Sequence, residues 1–71
     1  MSLTIYTKPD CPYCAKAINF YTKQGIQFEV RNAQDDLAVR NEMLALTGGD
    51  PTVPVTARDG LLVEIGWEGR G

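Results

Sequence analysis

Between Ser2 and Thr7, Leu3 and Ile5 fall on one side of an extended chain and Thr4 and Tyr6 on the other. This period-2 pattern, rich in β-branched and aromatic residues, predicts a first strand. Lys8-Pro9-Asp10 ends it, because proline cannot extend a ladder, and Asp10 is well suited to cap a following helix. From Pro12 to Gln24 the pattern turns helical. Proline suits the first turn, Ala15 and Ala17 have high propensity, Gly25 supplies a stop, and Cys14, Ile18 and Tyr21 form one inward stripe. Alternation returns over Gln27 to Arg31, where Phe28 and Val30 oppose Glu29 and Arg31, and predicts a second strand.

Asn32 to Asp36 offers capping oxygens ahead of a second helix, Leu37 to Leu46, closed by Gly48-Gly49. Its buried face is ambiguous, since Leu37 with Leu44, and Val39 with Met43 and Leu46, make overlapping stripes. Beyond the Asp50-Pro51 turn, Thr52 to Ala57 and Leu61 to Ile65 read as strands joined by Arg58-Asp59-Gly60, hence antiparallel. The strand-helix-strand opening implies a parallel pair with a right-handed crossover. Gly66 to Gly71 holds too much glycine for a stable helix. The order is β-α-β-α-β-β, and 71 residues point to one domain over positions 1–71.

Composition excludes several functions. Seven Lys/Arg against nine Asp/Glu give a net charge of −2, the opposite of what a polyanion partner requires, so no nucleic acid is expected. No apolar run approaches the roughly 18 residues of a membrane span. The amino end also lacks the unbroken apolar centre of a signal peptide. A cytoplasmic monomer without a membrane partner is the expectation. In that compartment thiols stay reduced, so two cysteines read as a metal or redox site rather than a permanent cross-link.

Cys11-Pro12-Tyr13-Cys14 carries the chemistry. At a helix start the first thiol meets free backbone N–H groups and the positive helix end, which favour a thiolate, and Lys8 adds positive potential. Cys14, one turn further in, is more shielded. The pattern assigns attack to Cys11 and resolution of the resulting mixed disulfide to Cys14. Zinc wants four ligands, and the chain has two cysteines and no histidine, so no metal is expected. A buried pair without chemistry is the bland alternative. Further on, Thr52-Val53-Pro54 puts a proline at the head of a strand. A cis Val53-Pro54 bond would turn the Val53 backbone toward the thiols, where it could pair with an extended, peptide-like substrate.

Cys11-Pro12-Tyr13-Cys14 after Tyr6-Thr7-Lys8, with Thr52-Val53-Pro54 about forty residues on, resembles a dithiol glutaredoxin of the thioredoxin-like superfamily, from the first strand to Ile65. The resemblance implies an α/β thioredoxin-like fold with a four-stranded mixed sheet, here short of the usual third helix. It implies a thiol–disulfide oxidoreductase acting on protein disulfides or glutathione mixed disulfides, with glutathione as co-substrate and no bound cofactor. In that family Lys8 would meet a glutathione carboxylate, Tyr13 would flank the groove, Thr52 and Val53 would hold the peptide, and Pro54 would be the cis proline. Trp67-Glu68-Gly69 is similar to the tail of redoxins that thioredoxin reductase reduces and that donate electrons to ribonucleotide reductase. Trp67 is expected to pack back over apolar surface. A rival from another class is an iron–sulfur cluster carrier, with Cys11 from two chains and two glutathione thiols as ligands.

Overall fold

A computed structural model describes residues 3–67 of the chain. The elements are β1 (Leu3–Thr7), α1 (Pro12–Lys23), β2 (Phe28–Asn32), α2 (Leu37–Thr47), β3 (Val55–Arg58) and β4 (Leu61–Ile65). Strands lie in the order β2-β1-β3-β4. β1 runs parallel to β2, with Leu3 opposite Phe28 and Thr7 opposite Asn32, and antiparallel to β3, with Tyr6 opposite Val55. β4 pairs antiparallel with β3. This is the mixed sheet and element order of the thioredoxin-like fold, with two helices among the described residues. None of the described helices is long and apolar enough to cross a membrane.

Local chemistry explains the boundaries. Past α1, Gly25 takes a left-handed φ of 72°, which lets its N–H reach the Thr22 carbonyl and the Ile26 N–H reach that of Tyr21, satisfying carbonyls the helix end would otherwise orphan. The β3–β4 loop is only Asp59-Gly60, both at positive φ (52° and 80°), as a two-residue hairpin matched to the strand twist demands. β3 starts at Val55 rather than at Thr52 as the alternation had implied. Pro54 has no N–H to give to a ladder, and the segment from Pro51 to Pro54 is irregular.

β1 is central, and Ile5 and Val55 are fully buried. On the α2 side, Tyr6, Val55 and Ala57 pack with Val39 and Met43 and, toward the strand ends, with Cys11, Cys14 and Val53. The ambiguity in α2 resolves toward Val39 and Met43, with Leu44 and Leu46 at the margin, while Leu37 is 70% exposed. Leu37 precedes Val39 by two residues, roughly 200° around the helix, so burying one exposes the other. Val30 is half exposed because β2 is an edge strand. Trp67 is half-buried and packs against Phe20 of α1, the rings tilted by 57° with centres 5.4 Å apart, as its expected packing role requires. The remaining tail positions, Glu68 to Gly71, lie outside the described residues.

Candidate active site at the start of the first helix

Cys11 is itself the cap of α1. Its backbone is extended (φ −100°, ψ 110°), Pro12 follows at the first helical position, and the Cys14 N–H donates to Cys11 Sγ at 3.2 Å. Asp10 does not cap the helix as its residue type had implied. It occupies a left-handed turn at φ 58°, a conformation aspartate tolerates, and the sulfur takes the capping place. An anionic sulfur at this point is opposed by the unpaired N–H groups and positive end of the helix.

The two thiols differ in setting. Both are buried, Cys11 at 8% exposure and Cys14 at 3%. Burial pushes the Cys14 thiol up from 9.0 to about 12. A hydrogen bond to Cys11 and the negative charge there act in the same direction, whereas the Lys8 backbone and ammonium pull it down. Cys14 therefore stays protonated at neutral pH. Tyr6 is likewise raised, from 10.0 to about 12, by burial and by its hydrogen bond to Glu42. The unfolded chain sheds these two protons first, so the folded state holds more protons at high pH, and stability present below pH 9 is lost as pH climbs toward 12. The urea midpoint of the reduced protein should fall from pH 9 to 11, less steeply in Cys14→Ser; a flat profile would contradict the burial of this thiol.

Two grooves meet beside the sulfurs. One is bordered by Cys11, Pro12 and Cys14, with Ala15 and Ile18 further along α1. The other, about 330 Å³, has walls from four segments: Thr7 and Lys8 at the end of β1, Ala33 and Gln34 after β2, Arg40 and Met43 of α2, and Pro51 to Val53. Thr7 and Lys8 border both, so the second groove leads to the thiols along the end of β1. Its far wall is ordered by Asp50, whose carboxylate accepts the Thr52 N–H at 2.9 Å and whose carbonyl accepts the Thr47 hydroxyl at 2.8 Å. The Thr52 hydroxyl and N–H hold the Asp50 carboxyl below its usual value. The Val53-Pro54 bond is cis, and Pro54 is buried, its carbonyl accepting the Gly66 N–H at 2.7 Å. Among the described residues Val53 makes no backbone hydrogen bond.

Of the residues singled out from sequence, Lys8, Thr52 and Val53 line this groove, Cys11 and Cys14 lie across Lys8 from it, and Pro54 sits behind Val53. Tyr13 lines neither groove; it lies half-buried against the core with the Lys16 ammonium 5.4 Å from its ring centre. Sequence reasoning missed Gln34 and Arg40. Gln34 could have been found, because it follows a parallel strand at its carboxyl end, where open α/β sheets place ligands. Arg40 lies three residues before Met43, and the overlapping stripes of α2 concealed that both face the groove.

The sequence profile of the glutaredoxin family matches residues 3–63. The chain is 34% identical, over 86% of its length and 80% of the other's, to an uncharacterised glutaredoxin-like 8.6 kDa protein in the rubredoxin operon of Clostridium pasteurianum. It is 36% identical to glutaredoxin 3 of Escherichia coli, over 75% of this chain and 63% of that one, so it spans under two thirds of that relative. Among solved structures it is similar to the glutaredoxin-like protein NrdH-redoxin of E. coli, which has a thioredoxin-like activity profile, with a TM-score of 0.77, 26% identity, and 92% and 83% of the two chains covered. A cysteine-capped first helix, a cis Val53-Pro54 bond and a match over nearly the whole described chain lead to one assignment: the protein belongs to the glutaredoxin family.

Proposed function

We propose that the protein is a dithiol oxidoreductase that reduces glutathione mixed disulfides and protein disulfides, with Cys11 as the attacking and Cys14 as the resolving thiol. The observation that carries this reading is the asymmetry of the pair: Cys11 Sγ receives the Cys14 N–H at the helix start, while desolvation pushes the Cys14 thiol up. A disulfide RS–SR′ laid against Cys11 is attacked by its sulfur. The Cys11–SR bond forms, the old S–S bond breaks, and R′S⁻ leaves and takes a proton from water. Capture removes the negative charge at Cys11 and the hydrogen bond to it, two of the influences that keep Cys14 protonated, while Lys8 remains. Cys14 then loses its proton to solvent and displaces RS⁻. The protein is left with a Cys11–Cys14 disulfide and the substrate has gained two electrons. Two glutathione thiols restore the dithiol and become glutathione disulfide. No bound cofactor enters this cycle.

The groove suits a short peptide bearing carboxylates, the chemistry of glutathione. Val53 supplies unpaired backbone for β-like pairing, and Lys8 and Arg40 supply positive charge. With dithiothreitol as the electron donor, Arg40→Ala is expected to raise KM for glutathione disulfide about fivefold while barely changing the reaction of Cys11 with a small aromatic disulfide. Equal loss with both substrates would contradict this placement. The likeness to NrdH-redoxin over 92% of the chain supports a second reading, in which thioredoxin reductase rather than glutathione is the electron donor and ribonucleotide reductase the acceptor. Reducing the oxidised protein with glutathione alone, and separately with thioredoxin reductase and NADPH, decides between the donors. Faster reduction by the reductase favours the second reading, and failure of both sinks the dithiol cycle.

A further inference from the structure

The walls of the groove that Lys8, Gln34, Arg40 and Val53 line belong to elements that must keep a fixed spacing. One side chain ties three of them together. Glu42, on α2, accepts the Tyr6 hydroxyl at 2.6 Å and forms an ion pair with Arg31, both through Oε2. Tyr6 lies on β1, immediately before Thr7 and Lys8, and Arg31 on β2, two and three residues before Ala33 and Gln34. Glu42 itself stands between Arg40 and Met43. Tyr6, Arg31 and Glu42 do not line this groove; they border a separate hollow of about 430 Å³ with Ala45, Leu46 and Ala57, and Tyr6 is buried there. The Tyr6 hydrogen bond, together with Arg31, keeps the Glu42 carboxyl below its ordinary value, so the acceptor is anionic and both bonds are charge-assisted. An exposed ion pair alone would hold little. The partly buried Tyr6 hydroxyl gives the tie its direction.

We propose that Glu42 is a positioning residue of the substrate groove: by joining β1 and β2 to α2 it sets the distance between three of the four groove walls, and so governs how tightly the peptide arm of a disulfide is held without altering exchange at sulfur. The inference rests on reading the groove as the seat of that arm. Loosening the tie lets Arg40 and Met43 move relative to Lys8 and Gln34, which weakens binding and leaves the helix start around Cys11 unchanged.

The test measures, for wild type, Glu42→Ala, Glu42→Gln and Tyr6→Phe, steady-state turnover of glutathione disulfide, which has a peptide arm, with dithiothreitol as the two-electron donor, and oxidation of the pre-reduced protein by 5,5′-dithiobis(2-nitrobenzoic acid), which has none. Glu42→Ala is expected to raise KM for glutathione disulfide about fivefold, and Glu42→Gln and Tyr6→Phe about twofold each. For all three, kcat and the second-order rate with the arm-free probe should stay within about twofold of wild type. Glutamine keeps an acceptor for Tyr6 but not the charge facing Arg31, so its smaller effect separates the two bonds. A merely structural role would lower both reactions alike in proportion to lost folded protein, and that result, or an unchanged KM in folded variants, overturns the proposal. Should Glu42→Ala fail to fold, the two milder variants carry the test. If turnover of glutathione disulfide by wild type shows no saturation, the groove reading fails and this inference falls with it. If wild type reduces neither probe, the dithiol reading fails first.

Discussion

Replacing Cys11 with serine is expected to lower disulfide reduction about a thousandfold or more, to the level of the uncatalysed exchange, because a hydroxyl at the helix start cannot act as the sulfur nucleophile. Cys14→Ser should behave differently. Capture by Cys11 needs no second thiol, so turnover of glutathione mixed disulfides should persist, with free glutathione releasing the adduct, while reduction of protein disulfides that depends on intramolecular displacement should fall steeply. Initial rates of both variants with both substrate types provide the check. Equal loss in the two variants would mean that the cysteines are not divided into attacker and resolver. Retained activity in Cys11→Ser would remove sulfur chemistry at this position altogether.

The second large effect concerns the scaffold. Ile5 is fully buried on the central strand, between β2 and β3, and opposite Val30 and Thr56 in register. Truncation to alanine leaves a cavity and is expected to cost about 2–5 kcal/mol. At roughly 0.05–0.15 kcal/mol per residue, a domain this small has only about 4–10 kcal/mol in total. Ile5→Ala should therefore lower the urea midpoint by half or more and leave a measurable unfolded fraction at 37 °C. A change below about 1 kcal/mol would contradict the placement of β1 at the centre of the sheet.

Much of this architecture was legible in the chain because the signals were local. Alternation at Leu3–Tyr6, glycine at the end of α1 and Asp-Gly at the hairpin each act within a few residues. Cys11 and Cys14 likewise carry their meaning in their spacing at a helix start. The failures involved relationships that no window contains. Asp10 looked like a cap until the Cys11 sulfur was seen to hold that place. Leu37 and Val39 were equivalent until a sheet lay beneath one of them. Gln34 and Arg40 share a groove with Lys8 and Thr52 only because the crossover brings four separate segments to one end of the sheet. Tyr6 and Glu42, 36 residues apart, give no sign of each other in the sequence.

The central claim is that one sulfur captures and its neighbour resolves. Cys14→Ser, incubated with glutathione disulfide, digested without reductant and mapped by mass spectrometry, tests it most directly. A single glutathione adduct on Cys11, formed rapidly at neutral pH and absent from Cys11→Ser, is the result this account predicts. An adduct that also forms on Cys14 of the Cys11→Ser protein at a comparable rate would contradict it.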